Sequence, residues 1–166
     1  MTGSRRQRSF LRPAAGLAAL LLIAASAAPV PVKAATTERI VSDHRTGIAI
    51  SGFDPVAYFT DGEPKPGNAE LEYKWEGVTW RFRNEGNRAA FVADPDIYMP
   101  RFGGYDPIAV ARGAGTAGHP ELWLVFEQRL YLFYNAQARD DFAADPGEAI
   151  EAAEGNWSEV LRKLVP

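Results

Sequence analysis

The chain has 166 residues, 18 of them basic and 21 acidic, and contains no cysteine. The lack of cysteine excludes disulfides, thiolate catalysis, iron–sulfur clusters and a lipid anchor on an N-terminal Cys, so the fold must be held by packing alone. Four Trp, nine Phe and six Tyr provide side chains for one hydrophobic core.

The first 34 residues have the organisation of a cleavable secretory signal. A basic segment ending at Arg12 precedes an apolar run from Ala14 to Ala28, and small residues suited to cleavage lie near Ala27 and near Ala34. The apolar run is shorter than the roughly 20 residues that a membrane-spanning helix needs, so no membrane span is expected after cleavage.

The predicted signal makes the mature protein periplasmic or secreted. Arg5-Arg6 resembles a twin-arginine signal, but Phe10-Leu11 lie too far along the chain, which favours Sec export. The mature chain is then an N-terminal arm over 35–47 and one domain over 48–166. Loss of the basic signal leaves a net charge of about −8, which disfavours nucleic acid and anionic lipid as partners but permits cationic ligands, including metals.

The first predicted hairpin covers residues 69–83. Apolar and polar side chains alternate on either side of a two-residue turn at Glu76-Gly77. This register places Tyr73 opposite Trp80 and turns the aromatic face toward the core.

The second predicted hairpin covers residues 122–134 and turns near Glu127-Gln128. Its side chains are apolar on both faces. We therefore expect it to be central in an antiparallel sheet of about four strands, with the first hairpin outside it.

Several short helices complete the prediction. Asn84 is expected to cap a helix that ends near Asp94-Pro95. Asp145-Pro146 opens a C-terminal segment with helical spacing, which we expect Gly155-Asn156 to divide in two. The fold class is thus α+β, with a small antiparallel sheet of two hairpins covered by short helices.

A near-repeat links two distant parts of the chain. The phrase GFDPVAYF begins at Gly52 and GYDPIAV begins at Gly104. In each, the Asp is expected to cap a helix whose first residue is Pro. The match either brings Asp54 and Asp106 to equivalent places in the fold or is a coincidence of two helix starts.

These phrases belong to an ordered series that includes GFDPVAYFTDGEPKPG, YKWEGVTWRFRNEGNRAAFVADPDIYMPRFGGY, LYLFYN and a final NW pair. Over residues 47–160 the series resembles the exported, single-domain branch of the YHS-domain family. YHS domains are small α+β modules found beside heavy-metal transport ATPases and some monooxygenases, so the resemblance implies such a module and suggests metal binding. In that branch the second phrase usually reads GGYC. Asp106 stands at the Cys position here, so no thiolate-ligated metal is expected.

Three residues are candidate metal ligands. If Asp54 and Asp106 converged on one pocket, their carboxylates could bind a hard cation or share a proton. The default alternative is that each is a helix cap, since Asp94 and Asp145 also precede Pro. His119 lies in the loop before the second hairpin and is the third candidate, with a solvated loop residue as its default interpretation.

The aromatic residues either form the core or line a ligand cavity. The strongest ligand-site candidates surround two glycines, because glycine lets a backbone approach a ligand closely. With the residues of the paired phrases, the candidate ligand-binding set is Asp54, Tyr58, Tyr98, Phe102, Gly103, Gly104, Tyr105 and Asp106. The wider group of aromatic residues that could line a cavity adds Tyr73, Trp75, Trp80, Trp123 and Tyr131.

No catalytic residue is predicted, because the chain has no GxSxG elbow, HExxH motif or P-loop. The sequence therefore favours a non-enzymatic binding module for a small ligand or a metal ion. A second interpretation is an accessory domain that docks onto a membrane transporter or envelope protein, which an exposed aromatic patch on the outer hairpin would favour. A third is a hydrolase that uses a converged acidic pair.

Overall fold

A computed structural model of the protein describes residues 39–164. The predicted signal segment and the start of the predicted arm lie outside this range. The elements in chain order are α1 (Ala57–Thr60), β1 (Asn68–Trp75), β2 (Val78–Phe82), α2 (Glu85–Ala93), α3 (Pro95–Tyr98), α4 (Pro107–Ala111), β3 (His119–Phe126), β4 (Arg129–Phe133), α5 (Ala136–Ala144) and α6 (Pro146–Leu164). The predicted α+β class and both hairpins are confirmed.

The first hairpin has the predicted register beside its turn, with Tyr73 opposite Trp80, but the register predicted Leu71 opposite Phe82, and a bulge between Asn68 and Glu72 places Asn68 there instead. The expected single sheet is wrong, because β1–β2 and β3–β4 form two separate two-stranded antiparallel sheets. The second hairpin is apolar on both faces because the two faces of β4 pack into two different cores, not because it lies between other strands. Leu130 and Leu132 of β4 belong to one hydrophobic core, whereas Tyr131 and Phe133 belong to a second core that includes residues of α5 and α6.

The near-repeat reflects a duplicated arrangement of elements. A Gly-aromatic-Asp-Pro phrase begins each half, and a hairpin and a helix capped by Asn84 or Asn135 follow. The aromatic packing is also repeated: Trp80 and Phe91 have ring centroids 5.1 Å apart at 38°, and Tyr131 and Phe142 have centroids 4.8 Å apart at 40°. The two phrases therefore occupy equivalent positions and are not a coincidence of helix starts.

Each half begins with a left-handed turn that precedes the Asp. In the first, φ is 40° at Ile50, 55° at Ser51 and 80° at Gly52. In the second, φ is 53° at Phe102, and the turn continues through Gly103 and Gly104 at 62° and 88°. Positive φ at Ile and Phe is uncommon because the side chain crowds the backbone, so the surrounding packing must hold these turns.

Helix α6 continues through the predicted break at Gly155-Asn156, so that expectation is wrong. A glycine within a helix costs only about 1 kcal/mol relative to alanine. Burial of Ala153 and Val160 on either side of the glycine offsets that cost.

The described part of the predicted arm packs against the domain. Ile40 is buried, and the Val41 amide donates a 2.8 Å hydrogen bond to the Gly103 carbonyl. Ser42 also forms an antiparallel bridge with Ala49. These contacts place the arm beside the turn that contains the candidate glycines.

Candidate functional site

The Asp54 carboxylate is fully buried and accepts three hydrogen bonds. Its Oδ1 accepts from the Val56 amide at 2.9 Å, at the start of the first short helix. Its Oδ2 accepts from the Arg83 amide at 2.9 Å and from the Asn87 side-chain amide at 2.7 Å. The charge is thus compensated by N–H donors, and it joins the start of α1 to the region between β2 and α2.

Asp106 repeats this arrangement in the second half. Its Oδ1 accepts from the Ile108 amide at 2.8 Å and the Ala109 amide at 3.3 Å, and its Oδ2 accepts from the Tyr134 amide at 2.9 Å. Tyr134 precedes the helix cap Asn135, as Arg83 precedes Asn84. Each carboxylate therefore joins its own Asp-Pro turn to the segment that follows the hairpin of the same half.

The three candidate metal ligands are not brought together. Within residues 39–164 no group of three or more His, Asp or Glu side chains is placed to hold a metal ion. His119 was predicted to lie in the loop before the second hairpin, but it is the first residue of β3 and pairs with Phe133. Its side chain is exposed, and its Nδ1 accepts a 3.2 Å hydrogen bond from the Glu121 amide.

Asp106 is the predicted cap of α4, whose first residue is Pro107. The capping prediction is wrong for Asp54, because α1 begins only at Ala57 and the Asp54 carboxylate instead closes a turn with the Val56 amide.

The candidate tyrosines have different surroundings. Tyr58 is buried and donates its hydroxyl to the Pro120 carbonyl at 2.9 Å, and burial raises the pKa of its phenol well above its usual range. Tyr98 packs edge-on against Phe59. Tyr105 packs against Trp157 and lines a cavity of about 260 Å³ near the arm. Tyr58 and Tyr98 thus hold packed segments of the chain together.

A second cavity lies beside the predicted glycine loop, and we call it the Trp80 cavity. Its volume is about 280 Å³. It is lined by Arg39, Ile40, Glu76, Trp80, Asp96, Met99, Pro100, Gly103 and Trp157. Of the predicted ligand-binding residues, Gly103 lines it, and neither Asp54 nor Asp106 does.

Gly103 is sterically required where the arm meets the loop. A Cβ atom at this position would lie 1.9 Å from the Arg39 carbonyl oxygen. The close approach holds Arg39 at the cavity and allows the bond between Val41 and Gly103. The predicted close backbone approach at this glycine is therefore made to the chain's own arm.

Trp80 lines the cavity and has a buried hydrogen-bond donor without a partner. The side chain is only 1% exposed, and its Nε1 has no hydrogen-bond partner among the described residues. A buried donor without a partner costs about 1–3 kcal/mol, because its bond to water is lost and not replaced. Trp75 has the same unpartnered Nε1 but does not line this cavity, which makes it a useful reference.

A third cavity, the Arg129 cavity, adjoins the Trp80 cavity and has a volume of about 330 Å³. The two share Asp96, Met99, Pro100 and Gly103 in their linings. Phe102, another predicted residue, lines the Arg129 cavity together with Arg101 and Arg129.

Sequence reasoning included Trp80 only in its general group of aromatic residues, and it did not find Arg39, Met99 or Trp157. These residues come from the arm, the loop and α6, which no local pattern connects. The only signal was the glycine pair at Gly103, because an unusual backbone approach was expected there.

Exposed apolar side chains offer little support for the docking interpretation. Among residues 39–164, the exposed large apolar side chains are Val92, Ile97, Val125 and Tyr134. None of them lies on β1 or β2, where an aromatic patch would have favoured a protein partner. In the same part of the chain, no helix has both the length and the hydropathy needed to cross a bilayer.

Comparison with protein-family models, curated proteins and solved structures finds no match to this chain. The YHS resemblance therefore stays a prediction.

Proposed function

We propose that this protein is an exported, non-enzymatic binding module of the YHS type that holds a small molecule in the Trp80 cavity. Trp80 lines that cavity and its buried indole N–H has no partner among the described residues, and this observation carries the proposal. A ligand whose hydrogen-bond acceptor reached this donor would recover the free energy that the missing bond costs.

A small organic ligand suits the site better than a metal ion does. The described side chains supply no group of three metal ligands, whereas the cavity lining includes Trp80 and Trp157, and aromatic side chains are common in small-molecule sites. Its volume of about 280 Å³ lies just below the usual range for drug-sized ligands, so a single-ring molecule is the appropriate size.

The test follows the indole N–H signals of the four Trp residues by NMR. Neutral single-ring carbonyl compounds, beginning with benzamide, are titrated into the protein, and Trp80→Phe assigns the Trp80 signal. We expect that signal to move downfield and saturate, and we expect Trp80→Phe to weaken binding about tenfold, as loss of one buried hydrogen bond predicts.

Trp75→Phe is the matched control, because it removes the other buried, unpartnered indole and leaves the Trp80 cavity intact. It should leave the benzamide affinity unchanged. If no compound of the series shifts the Trp80 signal, or if both variants weaken binding equally, the proposed site is wrong. Native mass spectrometry of protein isolated from its own periplasm would then show whether any small molecule accompanies it.

A further inference from the structure

Met99 borders two cavities and is one of only two sulfur-containing residues in the chain. The other is Met1, and the chain has no cysteine. The Met99 side chain is half-buried and lines both the Trp80 cavity, of about 280 Å³, and the Arg129 cavity, of about 330 Å³. A solute as small as hydrogen peroxide can therefore approach this side chain from either cavity.

The backbone around Met99 holds its side chain in that position. Helix α3 ends just before it, and the Met99 amide donates a 2.8 Å hydrogen bond to the Pro95 carbonyl. The next residue, Pro100, is buried and also lines both cavities. The Met99 side chain packs against the hydrophobic core that includes Ile40 and Trp80. A change in its polarity would therefore weaken the packing at the edge of that core.

A thioether has a defined reaction with peroxide. The sulfur attacks one oxygen of hydrogen peroxide, so that an S–O bond forms and the O–O bond breaks, and the displaced hydroxide takes up the remaining proton and leaves as water. Sulfur is oxidised by two electrons, and the peroxide is reduced. The product, methionine sulfoxide, is polar where the thioether was apolar. Because the chain has no thiol to compete for the oxidant, this reaction falls on its methionines.

We infer that Met99 is a site of oxidation by hydrogen peroxide in the folded protein, and that its sulfoxide loosens the packing between the cavities and the core. This modification is independent of the proposed ligand-binding function, because it needs no bound molecule. It does require that peroxide reach the sulfur without unfolding. A sulfur exposed only by global unfolding would react at least about a thousandfold more slowly than in the unfolded chain, because only about 10⁻³ or less of a native protein is unfolded.

The experiment compares the oxidation rate of the folded protein with that of the urea-unfolded protein in millimolar hydrogen peroxide, followed by intact mass and by peptide mapping, which separates Met99 from Met1. We expect the folded protein to gain one oxygen atom at Met99 at a rate within about tenfold of the unfolded rate. The matched variant combines Met99→Leu with Leu130→Met. It moves the thioether to a fully buried position of the same core that lines neither cavity. Cores tolerate exchanges of Leu and Met, and oxidation there should be at least about a hundredfold slower.

Oxidation of Met99 should also lower the melting temperature by about 5 °C, because a polar oxygen is added at the edge of the core. Met99→Leu alone keeps all four Trp residues and should show no shift after the same treatment.

Three results would overturn the inference. In the first, Met99 reacts as slowly as a sulfur that only unfolding exposes. In the second, the thioethers at Met99 and at Leu130→Met react at equal rates, so that access from the cavities does not matter. In the third, the melting temperature is unchanged after complete oxidation, or Met99→Leu shows the same shift.

Discussion

Replacement of Gly103 by alanine is expected to destabilise the protein strongly. The new Cβ would lie 1.9 Å from the Arg39 carbonyl oxygen, far inside normal contact, so the arm must move away. That movement breaks the bond from Val41 to Gly103, which contributes about 1 kcal/mol, and exposes part of the Ile40 side chain, which contributes about 1–2 kcal/mol. Positive φ at a residue with a Cβ adds about 1 kcal/mol.

The expected loss is therefore about 3–4 kcal/mol of unfolding free energy, measured by urea denaturation, with a melting temperature lower by about 10–15 °C. Gly62→Ala is the matched control, because Gly62 also has positive φ, at +70°, but a Cβ there meets no atom within 4 Å. It should cost only about 1 kcal/mol. Equal losses in the two variants would show that backbone conformation alone matters and would refute the steric argument.

Three further predictions concern single side chains. Asp106→Asn should lower the unfolding free energy measured by urea denaturation by about 2–4 kcal/mol, because an amide cannot accept all the N–H donors that the buried carboxylate receives. Asp140→Asn, on the exposed surface, should lower it little. Similar losses in the two variants would contradict the structural role of Asp106. Burial raises the pKa of the Tyr58 phenol in the folded protein, so the neutral phenol favours folding. This stabilisation is fully present below the unfolded tyrosine pKa of about 10 and is lost as the pH rises above that value. Tyr58→Phe should therefore flatten the alkaline loss of stability measured between neutral pH and pH ~11, and an unchanged slope would contradict this. Gly155→Ala should raise the unfolding free energy by about 1 kcal/mol, because the added methyl enters open space within α6; a loss of stability would mean that this helix is not continuous.

Local patterns predicted those elements whose cause lies within a few residues. Alternation around Glu76-Gly77 predicted the first hairpin and its register next to the turn, but not the bulge between Asn68 and Glu72. Asn84 was correctly predicted as a helix cap, because its side chain reaches an amide only three residues away. The phrase at Asp106 likewise predicted a helix start, since Asp and Pro act on the first turn alone, whereas the helix after Asp54 begins two residues later than its Pro.

Longer-range features could not be predicted in this way. Apolar side chains on both faces of β4 require burial on both sides, but they do not show whether strands or helices provide that burial. In the folded protein, β4 lies between two cores. The second oxygen of each Asp accepts from an amide more than a hairpin away, at Arg83 or Tyr134. No local pattern contains that partner.

The sequence by itself determined the α+β class, the hairpins, the helix caps and the importance of the glycine loop, because propensity, alternation and capping act between neighbours along the chain. Only the tertiary structure decided that Arg39, Trp80 and Trp157 line one cavity with Gly103, and that the buried Trp80 indole N–H lacks a partner. That arrangement depends on how the arm, β2 and α6 pack around one residue without a side chain. Contacts between distant segments cannot be deduced from the order of residues along the chain.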